Sequence, residues 1–407
     1  MANKVFDLDG FIRSSVTERS TSLLQQDLDS NHGELAKRID GRRVLVIGGA
    51  GTIGSSFIRA LLRFHPAALY VVDTDENGLT ELTRDLRSRM DCHVPTAYLT
   101  YPMDFGSQLF QRWLSAQATF DIVANFAAHK HVRSEKDVYS IQAMLENNVL
   151  KARRLLDQLA LRPPQHFFCV STDKAANPVN VMGASKKLME DLIMSYADRF
   201  KITTARFANV AFSNGSLLAG FLQRMVKKQP LSAPCDVRRY FVSPDESGQL
   251  CLLACILGES GDIIFPKLRT EQMRTFDGIA VAFLAAYGGF EADRCASEEE
   301  ARSKARELRE GSRHYPVYFS PSSTSGEKSY EEFYVEGEDI DWNRFNQLGV
   351  VKLAQPPSPA PVLAMIEKLE IAATSSSATK EQIVTILTEL IPNFEHLETG
   401  KSLDQKM

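Results

Sequence analysis

The sequence predicts an α/β fold, a doubly wound parallel sheet joined to a smaller, interleaved C-terminal substrate-binding lobe. Short, continuously apolar β-rich runs alternate with longer amphipathic stretches from Arg43 to about residue 210. A glycine-rich turn joins the first run to the first amphipathic stretch. Beyond residue 210 the alternation loosens, as it does when pieces of a second lobe interleave with the last strands of a sheet. Continuous apolar strands need cover on both faces, the condition of a parallel sheet flanked by helices.

Taken in order, residues 1–40 are polar, with scattered apolar anchors at Phe6, Phe11, Ile12, Leu23 and Leu24. They read as an N-terminal arm that packs on the core or on a partner subunit. Residues 41–210 hold the strand-like runs Val44–Ile47, Leu69–Val72, Ile122–Phe126, Phe167–Val170 and Ile202–Arg206. Between them, Ser55–Phe64, Leu79–Met90, Val138–Leu161 and Ser185–Phe200 carry the helical period. Residues 211–372 read as the second lobe with interleaved core elements, including an apolar helix at Ile279–Tyr287. Ser297 with Glu300 forms a capping box that opens a charged, solvated helix to about Arg309. Pro356–Pro361 and Thr374–Thr379 read as linkers, and residues 373–407 as a C-terminal linker with a short helix carrying Ile383, Ile386, Leu387 and Leu390.

Composition narrows the function classes. Of 407 residues 44% are hydrophobic and 24% charged, which excludes disordered and fibrous classes. No apolar run is long enough for a membrane span. A formal net charge of −4 supplies no basic field for nucleic acid. Six cysteines without a C-x-x-C pair, and no secretory leader after Met1, imply a reducing cytoplasm. Cys251 and Cys255 share one helical face and read as core residues.

Val44-Leu-Val-Ile-Gly-Gly-Ala-Gly-Thr-Ile-Gly54 is a strand running into glycines 48, 51 and 54 and then a helix. This spacing allows a tight turn, a close backbone approach to a pyrophosphate and a helix N-terminus aimed at the charge. Ala50, Thr52 and Ile53 complete the turn. Asp73, nineteen residues after Gly54, ends the second apolar run, where a carboxylate accepts both adenosine ribose hydroxyls. Together these features predict a Rossmann-type dinucleotide site. Asp73 would repel a 2′-phosphate and no Arg or Lys follows in 74–77, so NAD is expected before NADP. Asp104 has two readings, an adenine contact or a loop cap.

The run His166–Val170 empties into Ser171-Thr-Asp-Lys-Ala-Ala-Asn-Pro178, followed by Met182 and Lys186. With Asn125-Phe-Ala-Ala-His-Lys-His131, Arg206-Phe-Ala-Asn-Val210, Arg239-Tyr-Phe241 and Gly326-Glu-Lys-Ser-Tyr-Glu-Glu332, this resembles an extended short-chain dehydrogenase/reductase. More narrowly, it is similar to the UDP-N-acetylglucosamine 4,6-dehydratases of bacterial glycan biosynthesis. The resemblance spans about residues 41–372. Most short-chain dehydrogenases place Tyr four residues before the Lys, and a thioether cannot take its proton-exchanging role. The membrane-anchored, configuration-retaining branch of the dehydratases also has Met there, so this chain resembles a soluble member of that branch.

The resemblance implies C4 oxidation, elimination of water across C5 and C6, and hydride return to C6. It gives Asp173 the proton for the leaving C6 hydroxyl, Lys174 the C5 proton, Thr172 the C4 oxygen and Lys186 the nicotinamide ribose. It places Ala127 and Ala128 beside the cofactor, Lys130 and His131 beside the sugar, and Asn209, Arg239 and Arg238 at the UDP phosphates. His129 and His131 have no carboxylate or Cys at ligand spacing, so no metal is implied. A homo-oligomer is implied too. The region 270–320 departs most from the family, which leaves the sugar open. A 4-epimerase, a 5,6-dehydratase and a non-catalytic NAD-binding scaffold are the competing readings.

Overall fold

The structure, a computed structural model, describes residues 6–322, 326, 328, 330, 332–353 and 357–398, with the side chain of Arg133 excepted. Its central sheet begins with six parallel strands: β1 Arg43–Ile47, β2 Ala68–Asp73, β3 Ala97–Pro102, β4 Ile122–Asn125, β5 His166–Val170 and β6 Lys201–Ala205. Strand Asp262–Pro266 adds in parallel beside β6, followed by Leu348–Lys352 and Ile340–Asp341. From one edge the order is β3, β2, β1, β4, β5, β6 and then these three. Strand Leu348–Lys352 runs antiparallel to Asp262–Pro266. The order reverses between β1 and β4, and the crevice outside the carboxyl ends of the strands there is where such sheets take ligands.

Apolar content explains the layering. All five residues of β5 are buried, as are all four of β4, because helices cover both faces. Edge strand β3 is only half-buried. The helix Pro244–Leu257 lies against Thr52–Leu61 so closely that a Cβ on Gly248 would stand 2.3 Å from the Ser56 backbone. Cys251 and Cys255 on that helix are fully buried.

The smaller lobe has a parallel three-stranded sheet, Glu291–Arg294, His314–Ser320 and Leu231–Pro234, under helices Leu217–Val226 and Phe276–Gly288. Its core centres on Phe283, whose ring meets Phe6, Phe11, Phe212, Phe221 and Tyr287.

The N-terminal arm, from residue 6 on, packs on this chain's own core, one of its two expected placements. Phe11, Ile12 and Val16 fill the lobe, and helix Gln25–Ile39 lays Leu28, Leu35 and Ile39 on the sheet domain. Pro359–Pro361 does not belong to a linker. It opens helix Pro359–Thr374, since proline is tolerated where the first helical amides have no partner anyway. That helix crosses the expected boundary at 372 and packs on the sheet domain, not on the lobe. The Ser297 cap forms, with its Oγ accepting from the Glu300 N–H at 3.2 Å, but the Glu300 carboxylate accepts from Ala296.

Candidate active site

Gly48 and Gly54 are demanded by the fold itself. Gly48 has φ +75°, and a Cβ there would lie 2.5 Å from the Ala127 nitrogen; one on Gly54 would lie 2.3 Å from the Gly48 carbonyl. Gly51 is different. It has φ −67°, and a Cβ added there would meet its nearest neighbour only at 3.5 Å. Nothing inside the protein requires glycine there, whereas an approaching pyrophosphate would. Asp73 shapes the same turn, its carboxylate accepting from the Ala50 N–H at 2.9 Å and from the Asp75 N–H at 3.0 Å. Thr52 Oγ1 accepts from the Asn214 N–H at 2.9 Å.

Asp104 accepts from the Gly106 N–H at 2.8 Å and pairs with Lys151 at 2.7 Å. Burial raises its pKa, but Lys151 and the amide outweigh that and hold it below the ordinary carboxylate value.

A cleft of about 730 Å³ opens between the sheet domain and the lobe. It brings together Ile53, Ala128, Lys130, His131, Thr172, Asp173, Lys174, Met182, Lys186, Asn209 and Arg239. Gly48, Ala50, Gly51, Thr52, Gly54, Asp73, Asp104 and Ala127 do not line it; they sit at the adjoining ends of β1, β2, β3 and β4. Arg238 faces away into a separate pocket with Tyr240 and Tyr334, because successive residues of an extended strand point to opposite faces. Of the late Gly326–Glu332 element, Glu327, Ser329 and Glu331 lie outside the described residues; Gly326 lines the cleft.

At the floor, Thr172 Oγ1 donates to Asp173 Oδ1 at 2.8 Å. The Lys174 N–H donates to the same oxygen at 2.9 Å and Lys174 Nζ at 3.2 Å. Asp173 is buried. Asn180 caps helix Val181–Met194, which puts Met182 in its first turn and Lys186 one turn later. Lys186 is buried, donates to the Val170 carbonyl at 2.7 Å, and has its pKa lowered by desolvation. Lys130 donates to the Asn214 carbonyl at 3.0 Å, and desolvation lowers its pKa as well. Asn209 Nδ2 is buried without a hydrogen-bond partner among the described residues, a donor left for a ligand. Among the described residues, six basic side chains, Lys130, Lys136, Lys174, Lys186, Arg224 and Arg239, and one acidic residue, Asp173, line the cleft. A cleft of this charge suits a polyanion although the chain as a whole is negative.

Two supports escape motif reading. Asn148 accepts from the His129 N–H at 2.8 Å and donates to the His129 carbonyl and Ser185 Oγ, both at 2.9 Å, stapling the 126–131 loop to helix Val181–Met194. Buried Glu190 takes Ser171 Oγ at 2.6 Å and a bidentate pair from Arg206 at 2.9 and 2.7 Å.

The sequence matches the family described as "Polysaccharide biosynthesis protein" over residues 44–352. The chain belongs to this family. An uncharacterized membrane protein of Methanocaldococcus jannaschii is 30% identical over 318 residues, 76% of this chain and 85% of that one. The probable polysaccharide biosynthesis protein EpsC of Bacillus subtilis is 26% identical over 76% of this chain but only 50% of its own length. Among solved structures, Pen from Bacillus thuringiensis superposes with TM-score 0.63 at 20% identity, covering 78% of this chain and 89% of Pen. DesIV of Streptomyces venezuelae, a dTDP-glucose 4,6-dehydratase, gives 0.54 at 19% identity over 72% of this chain and 88% of DesIV. These likenesses establish the fold. No helix among the described residues is long and apolar enough to cross a membrane.

Proposed function

We propose that this family member is an NAD-dependent nucleotide-sugar 4,6-dehydratase acting on UDP-N-acetylglucosamine. The observation that carries the reading is the convergence of Thr172, Asp173 and Lys174 at the carboxyl end of β5, within one basic cleft that also holds Met182 and Lys186. The glycine turn with Ala50, Thr52 and Ile53, together with Asp73, Asp104, Ala127, Ala128 and Lys186, would hold NAD, with Asp73 disfavouring a 2′-phosphate. Bound there, NAD would accept hydride from C4 of the sugar and return it to C6. The open space at Gly51 fits such a cofactor.

The residues then divide the proton traffic. Thr172 passes the C4 hydroxyl proton along its 2.8 Å hydrogen bond to Asp173. Lys174 removes the C5 proton, which the C4 ketone has acidified. Asp173 gives its proton to the C6 hydroxyl, which leaves as water. Lys174 returns its proton to C5 as C6 is reduced, and the pair is back where it began. Asn209, Arg239, Lys130 and His131 bind the UDP-sugar. The same reading makes the protein a cytoplasmic homo-oligomer.

Incubation with UDP-N-acetylglucosamine and NAD⁺, followed by mass spectrometry, tests this. A product lighter by one water is expected. An unchanged mass with a new NMR signature means a 4-epimerase, which oxidises C4 but needs no acid at C6. A 5,6-dehydratase product keeps the alkene. Cofactor binding without turnover of any nucleotide sugar means a scaffold.

A further inference from the structure

Residues 357–398 lie beyond the stretch that matches the family, yet they belong to the main core. Helix Pro359–Thr374 buries Val362, Ile366, Leu369 and Ala373, and helix Lys380–Leu390 buries Ile383 and Leu387. Both pack against Val181–Met194, the helix of Met182 and Lys186. Past Leu390 the chain seats Ile391 and Phe394 in the core and then runs along the catalytic turn.

Its hydrogen bonds land on one short stretch. Asn393 Nδ2 donates to the Ala176 carbonyl at 2.8 Å and to Asn177 Oδ1 at 3.1 Å. The Glu395 N–H donates to the Pro178 carbonyl at 3.2 Å, and the Leu397 N–H to the Val179 carbonyl at 3.0 Å. The Leu397 carbonyl accepts from the Gly326 N–H at 2.9 Å. His396 Nε2 bonds Glu135 Oε1, and Glu135 Oε2 accepts from the Val181 N–H at 2.7 Å, an amide of the first helical turn. Lys380 also pairs with Glu135, so this carboxylate is held from two sides of the C-terminal segment. Apart from the Gly326 contact, each of these bonds reaches the stretch between Lys174 and Met182, directly or, for His396 and Lys380, through Glu135. That stretch links the acid–base pair to the helix that presents Lys186. None of these tail residues lines the cleft.

We propose that residues 391–398 form a strap that positions the active site, with Asn393 and His396 as its positioning residues. Without it, the carbonyls of 176, 178 and 179 lose these donors, and the Asp173–Lys174 pair loses its fixed relation to Lys186. Misplacement of this kind slows the chemical step more than it weakens binding. The inference rests on the roles proposed above for Asp173 and Lys174.

The test uses full-length Asn393→Ala, His396→Phe and His396→Gln, the last keeping an N–H donor toward Glu135. Hydrogen–deuterium exchange of residues 172–182 is expected to quicken about tenfold in the first two and to return toward wild type in the third. The expected kcat for UDP-N-acetylglucosamine falls about tenfold in the first two variants, with KM and NAD affinity within about twofold. Unchanged protection of 172–182, or raised exchange with unchanged kcat, overturns the strap. A wild-type protein that leaves every nucleotide sugar unaltered defeats the dehydratase reading instead, and the exchange measurement then still decides whether the tail holds the turn.

Discussion

Three hydrogen bonds converge on one oxygen of Asp173, the oxygen that Thr172 reaches. Asp173→Asn keeps the shape and removes the proposed acid, and Lys174→Ala removes the proposed base. Each is expected to lower kcat by about 10²-fold or more while NAD still binds; activity within about tenfold of wild type in either variant rejects the assignment. Lys186 gives a second prediction. A lysine is charged below its pKa, and burial lowers that of Lys186 from 10.5, so its charge is lost at a lower pH than a free lysine's. If the charge serves the reaction, the pH profile of kcat/KM declines on the alkaline side. Lys186→Arg, always charged, is weaker but moves that decline upward by about one pH unit or more; an unmoved alkaline limb counts against Lys186 as its source. Thr172, Asp173, Lys174, Met182 and Lys186 are legible in the sequence because they are close together in one motif. Asn148 is not, because its partners His129 and Ser185 stand 19 and 37 residues away and no motif links the three.

Among the elements, the buried ion pair Glu190–Arg206 joins helix Val181–Met194 to the end of β6, and Arg206 also donates to the Phe333 carbonyl at 3.1 Å. Burial alone would raise the Glu190 pKa, but Arg206 overrides it and the net shift is downward from 4.5. A carboxylate with a depressed folded pKa contributes stability that is present above the unfolded value and is lost as pH falls through the folded one. Glu190→Gln leaves buried Arg206 with Glu338, at 3.4 Å, as its remaining carboxylate and is expected to cost up to about 3–5 kcal/mol at neutral pH. The variant's stability should also change less than wild type between about pH 5 and pH 3. Denaturant titrations across that range check both; a loss below about 1 kcal/mol at neutral pH means the pair is not closed. Strands β1, β2, β4, β5 and β6 are readable because cover on both faces makes them continuous apolar runs. The antiparallel strand Leu348–Lys352 follows no βαβ rhythm and escapes such a reading. Helix Gln25–Ile39 is hidden by its own polarity. Only Leu28, Leu35 and Ile39 mark its inner face, and buried Asp27 faces inward with them to accept the Asn346 and Gln347 amides.

For the whole molecule, residues 6–40 tie the two lobes together. Phe11 packs in the aromatic cluster of the smaller lobe, Arg19 pairs with Glu246 at 2.6 Å, and Asp27 grips the turn before Leu348–Lys352. Phe11→Ala is expected to cost about 3–5 kcal/mol in a denaturant titration; a loss near zero means the arm does not anchor the lobe. The lobe itself is the least legible part of the sequence, because its short strands come from three separated segments and pair only through the fold. The reach of the arm also orders events in time. Asp27 meets amides 319 and 320 residues further along the chain, and Arg19 meets a carboxylate 227 residues away. A ribosome adding roughly 5–20 residues per second makes these side chains well before their partners exist. Contacts of this reach can close only after both partners have been made, so the joining of the two lobes through Arg19 and Asp27 waits for the segments around 246 and 346.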